Sequence, residues 1–118
     1  MNDVEQKRDY YRLKYPKRYR PSVNFSSEQF HVTEVSEGGI RVAVNPFTNW
    51  YKGLSLSGTL TLHNNMQVKV EGAVLRFDNN EVVLKLVKGP TFKNMVEEQR
   101  YIRQKYPEHF IVKSTQVA

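Results

Sequence analysis

The chain has 118 residues, 39% of them hydrophobic and 25% charged, and no cysteine. That is enough for one core, and it excludes a disulfide framework and any thiolate nucleophile or metal site. The formal charge of +6 is uneven: residues 1–20 hold seven basic and three acidic side chains, residues 88–105 hold five and two, and residues 21–87 hold five and six. Two basic ends on a near-neutral body fit either an anionic partner met by the ends or termini that only keep the protein soluble, and charge alone favours neither. No apolar run is long enough to cross a bilayer, and the polar stretch Met1–Lys7 lacks the apolar segment of a secretory leader. A cytoplasmic domain without membrane insertion is therefore expected.

Residues 1–20 read as a charged, tyrosine-rich arm, partly helical and interrupted at Pro16. Within it, Arg8-Asp9-Tyr10-Tyr11-Arg12 spaces two guanidinium groups four residues apart, which a helix or compact turn would bring to one side. Two converging forks can hold phosphate oxygens, lie on a purine ring or grip the Hoogsteen edge of guanine. On that spacing alone, a solvated helix face is the plainer reading. With little apolar surface of its own, the arm is expected to be mobile without a ligand.

Strands are predicted at 21–25, 29–35 and 39–45, the latter two joined by the tight turn Ser36-Glu37-Gly38-Gly39. The segment Glu34-Val35-Ser36-Glu37-Gly38-Gly39 would place a carboxylate, a hydroxyl and bare backbone together. A carboxylate can accept the donors on guanine's Watson–Crick edge, and glycine permits close approach of backbone to a ligand. A plain β-turn with a local serine hydrogen bond accounts for the same residues.

After a loop at 45–53 containing Trp50, expected to plug one barrel end, Leu54, Leu56, Leu60 and Leu62 alternate with small polar residues, the period of a half-buried strand. Asn64 and Asn65 suit a turn with left-handed backbone before Met66, Val68 and Val70. At Gly72 the apolar set shifts to Ala73, Leu75 and Phe77, which predicts a β-bulge. Asp78-Asn79-Asn80 turns into a last strand at 82–87. Phe92, Met95, Val96, Gln99 and Ile102 then follow helical spacing, with Thr91 as N-cap and Pro107 as stop. The expected architecture is all-β with a terminal helix: a six-stranded antiparallel barrel and a C-terminal α-helix. The expected division is an arm at 1–20, a barrel with helix at 21–107 and a tail at 108–118.

The three histidines, His31, His63 and His109, show no metal-ligand spacing, and no phosphate-binding loop or nucleophile elbow is present. No general base or nucleophile is assembled, so neither an enzyme nor a metal or cofactor is expected.

Taken together, the R-x-x-x-R arm, the x-x-S-x-x-G turn and a barrel with a C-terminal helix resemble the PilZ domain, the bacterial receptor module for cyclic di-GMP. The resemblance extends over residues 7–107. It includes Tyr11-Arg12-Leu13-Lys14-Tyr15-Pro16, Arg20-Pro21, Gly72-Ala73-Val74-Leu75-Arg76 and Glu98-Gln99-Arg100-Tyr101-Ile102-Arg103. It implies a stand-alone second-messenger receptor in which Arg8 and Arg12 hold the phosphates and one guanine. Glu34, Ser36 and Gly39 would bind the other guanine from the barrel face. The family usually carries Asp or Asn where this chain has Glu34, one methylene longer. Lys7, Gly38, Arg41 and Arg76 are secondary candidates for ligand contact. Conformational change would then be passed to a protein partner. Two other readings stand beside this one. The first is a PilZ-like protein-interaction module that works without nucleotide. The second is a small basic barrel that stacks single-stranded nucleic acid on Tyr10, Tyr11, Tyr15 and Tyr19, which leaves the Ser36–Gly39 turn unused.

Overall fold

The computed structural model describes residues 11–109. Strands β1 (Leu13–Lys14), β2 (Ser22–Phe25), β3 (Glu28–Ser36), β4 (Gly39–Ala43), β5 (Ser55–Leu62), β6 (Met66–Asp78) and β7 (Glu81–Lys88) are followed by helix α1 (Phe92–Lys105). All pairings are antiparallel, in the order β1-β3-β2-β5-β6-β7-β4, and β4 returns to β3. The six strands β2 to β7 thus close into a barrel, which leaves no unpaired edge on the main sheet.

The extra strand belongs to the arm, whose described part, residues 11–20, holds no helix; residues 1–10 lie outside the described residues. Strand β1 lies end to end with β2 along the same edge of β3, with Leu13 opposite Val35 and Lys14 opposite Glu34. Leu13 is fully buried and Tyr15 nearly so, both in the main core. The Tyr15 N–H extends the ladder by donating to the Thr33 carbonyl at 3.1 Å.

The barrel interior is filled from every strand, by Val23, Phe30, Val32, Val35, Ile40, Val42, Leu60, Val70, Val74, Val82 and Leu84 among others. Trp50, expected to plug one barrel end, is partly buried against the core, its ring centroid 4.8 Å from that of Phe30 and 5.7 Å from that of Phe25. The two asparagine turns form as expected: Asn64, Asn65 and Asn79 all have φ near +60°, a conformation asparagine tolerates better than most residues.

The irregularity expected at Gly72 is present, but the residue without a counterpart is Val87 on the facing strand. A Cβ on Gly72 would run into the Lys85 carbonyl, so glycine is what lets the bulged β7 approach. The inward phase does not shift there. Val70 and Val74 both face the core, whereas Leu75 and Phe77, expected inside, are 42% and 50% exposed. A second bulge leaves Leu75 unpaired between Val74 and Arg76.

Helix α1 starts at a reciprocal cap. The Thr91 hydroxyl accepts from the Asn94 N–H (3.1 Å), and the Asn94 carboxamide oxygen accepts from the Thr91 N–H (2.9 Å). Its buried face is Met95, Glu98 and Ile102, while Phe92, expected inside, is 70% exposed. Glu98 is therefore a carboxylate in the core, and it is fully partnered. Tyr15 donates its hydroxyl at 2.9 Å, the His63 ring Nδ1 lies at 2.5 Å, and the His63 ring stacks on Tyr101 with centroids 4.3 Å apart. Buried charge is tolerated on this condition of full pairing. The cluster fastens three distant segments, the arm, the β5–β6 turn and α1, at one point.

Candidate functional site

The cleft beside the arm is built by a bulge in β3. Phe30 and Val32 face inward, and simple alternation would send Glu34 into the core behind them. The β3–β4 register instead shifts between Val32 and Glu34, leaving Thr33 without a partner. The phase is reversed beyond it, so that Val35 is buried and Glu34 is turned to the outside of the barrel. The same apolar phase slip, Phe30 and Val32 followed by Val35, is visible in the sequence.

Strand β1 brings the arm to this place. Carrying its register one step back from Leu13 sets Arg12 level with Ser36. The Arg12 Nε lies 3.8 Å from the Glu34 Oε2. Arg12, Glu34, Ser36, Gly38, Gly39, Arg41 and Arg76 then line one cleft of about 390 Å³, floored by β4 and β7. Seven of the nine residues singled out from the sequence thus converge on one site. The other two, Lys7 and Arg8, lie outside the described residues.

Ser36 and Gly39 form the turn itself. The Ser36 hydroxyl donates to the Gly39 carbonyl at 3.2 Å, as expected of a local serine hydrogen bond. That use of its hydrogen leaves the oxygen's lone pairs free to accept. A Cβ on Gly39 would stand 3.0 Å from the Leu84 carbonyl, a tight contact that β4 and β7 would have to relax to admit.

Arg41 is at the cleft but is already committed. It sits between Glu81, at 2.6 Å, and Asp78. The hydrogen bond to Glu81, opposed by partial burial and helped by Asp78, raises its pKa above the ordinary arginine value. Its role is to tie β4 to the β6–β7 turn rather than to offer a free cation.

Among the lining residues that were not singled out from the sequence are Leu75, the unpaired bulge residue, and Lys85, exposed on β7. Both depend on long-range register, which gives no local sequence signal. Among the described residues no group of three His, Cys, Asp or Glu side chains could hold a metal ion. No described helix is long and apolar enough to cross a membrane.

A family model described as the PilZ domain matches residues 6–104. The chain belongs to the PilZ domain family. Among solved structures, this PilZ chain is similar to the Bacillus subtilis Inhibitor of motility (MotI/DgrA). The TM-score is 0.65 at 20% identity, over 85% of this chain and 52% of that one. The likeness is one of fold, and this PilZ chain spans about half the length of that protein. No curated protein matches it.

Proposed function

We propose that this PilZ protein is a receptor for cyclic di-GMP, held between the arginine arm and the barrel face, that passes its occupancy to a protein partner. The observation that carries this reading is the meeting of two motifs, 22 residues apart in sequence, in one cleft: Arg12 from the arm with Glu34, Ser36 and Gly39 from the turn. The two side-chain types are complementary to different parts of one ligand. A guanidinium fork matches phosphate oxygens and the O6/N7 edge of guanine, and a carboxylate accepts from guanine's N1–H and amino group. Arg8, four residues before Arg12, supplies the second fork.

The placement of two of the four tyrosines weighs against nucleic-acid stacking. Tyr15 is nearly buried, and Tyr19 packs among Tyr15, Tyr101 and Tyr106. Tyr11 is exposed, and Tyr10 lies outside the described residues. One observation favours a module that works by protein contact alone: Arg12 and Glu34 already lie close enough to satisfy each other in part. Calorimetric titration with cyclic di-GMP, with GMP and a short single-stranded oligonucleotide as controls, separates the three readings. Saturable binding selective for the cyclic dinucleotide is the expected result. Heat only with the oligonucleotide would establish the stacking reading, and no heat with any of them the protein-contact reading.

A further inference from the structure

Strand register lines up more of the cleft than its two motifs. Ser36 pairs with Gly39, Gly39 with Lys85, and Lys85 with Ala73. With Arg12 level with Ser36, one row crosses the outside of the barrel from β1 through β3, β4 and β7. At about 4.8 Å per strand, Arg12 and Lys85 begin roughly 14 Å apart along the backbone. Between them on the row lies Gly39, which has no side chain.

Of the three cations on the barrel side of the cleft, Arg41 is held by Glu81 and Asp78. Lys85 is exposed, and no carboxylate among the described residues pairs with it within 4.0 Å. It is also a lysine: a compact, strongly hydrated point charge suited to a phosphate oxygen, without the planar fork that reads a base edge. Arg76 shares the lining, one row away beside Val83.

We infer that Lys85 is the barrel-side phosphate-binding residue of this site, and that with Arg12 it selects a ligand carrying two separated phosphates over a mononucleotide. The inference rests on the receptor reading above and adds to it the origin of the preference for a dinucleotide. Lys85 also lines a second hollow, with Ser55, Ser57, Glu71 and Val87.

The test titrates the parent, Lys85→Gln, Lys85→Arg and Arg12→Ala with cyclic di-GMP and with GMP. Lys85→Gln should weaken cyclic di-GMP at least fivefold and change GMP binding less than twofold. Lys85→Arg should stay within about threefold of the parent, and the loss in Lys85→Gln should shrink at high salt, where exposed charges are screened. If Lys85→Gln binds cyclic di-GMP like the parent while Arg12→Ala does not, Lys85 faces the other hollow. The inference then falls and the receptor reading stands. An equal loss for both ligands also overturns it, because Lys85 would then not distinguish them. A parent that does not bind cyclic di-GMP overturns both.

Discussion

The hydroxyl of Tyr15 donates to the buried carboxylate of Glu98 across 83 residues of sequence, at 2.9 Å. It joins the segment just after Arg12 to the inner face of the C-terminal helix. The arm is consequently part of the barrel's packing from Leu13 onward, and the arginine preceding Leu13 is delivered to the cleft by a fixed piece of backbone.

Replacing Tyr15 with Phe should lower stability by about 1.5–3 kcal/mol, the usual worth of a hydrogen bond to a charged group, measured by urea unfolding. Burial first, and the Glu98 charge second, raise the Tyr15 hydroxyl pKa well above the ordinary tyrosine value, and Tyr19 is shifted the same way. A tyrosine that resists ionisation when folded favours the native state fully below its unfolded pKa of about 10, and that contribution is lost as pH rises beyond it. The melting temperature should therefore fall above pH 10, and the fall should be shallower in Tyr15→Phe.

Leu13→Ala tests whether the arm is a structural strand. The side chain is fully buried, so its truncation should cost about 2–5 kcal/mol. A loss under 0.5 kcal/mol in the same unfolding measurement would mean that the arm packs only weakly.

Arg12 and Arg41 line the same cleft and should behave oppositely. Arg12→Ala should weaken cyclic di-GMP binding at least tenfold, which requires only about 1.4 kcal/mol, with little change in melting temperature. Arg41→Ala should leave affinity within about threefold. It should lower stability by no more than about 1 kcal/mol, since its ion pairs are partly exposed.

Deleting Thr33 removes the bulge and turns Glu34 toward the core, where an unpaired carboxylate is costly. The deletion should melt at markedly lower temperature and show no binding, whereas Thr33→Ala, which keeps the residue count, should retain both properties nearly unchanged. Melting curves and titration of the two variants check this.

The alternation of Leu60 and Leu62, the Asn64-Asn65 turn and the Thr91 cap are local signals, and the barrel and helix were legible from them. Most of the cleft was legible as well, because both motifs are short and each is continuous in sequence. What local pattern could not supply was anything decided by pairing across strands. Leu75 and Phe77 looked like core because they alternate, but the bulge at Leu75 and the neighbouring strands leave them half-exposed. Glu98 is absent from the apolar stripe that helical spacing picks out, yet it lies on the buried face. It is buried because Tyr15 and His63, far off in sequence, converge to satisfy it. Strand β1 within the arm left no sequence signal because it is only two residues long, and its partner strand lies about twenty residues away.

The central claim is that one cleft between the arm and the Ser36–Gly39 turn binds cyclic di-GMP. The most direct test follows backbone amide signals of isotopically labelled protein by NMR as cyclic di-GMP is added. The account predicts saturable shifts at Arg12, at Glu34 through Gly39 and at Lys85, with little change in the distant Phe47–Lys52 loop. Shifts confined to that loop, or none anywhere at saturating ligand, would contradict it.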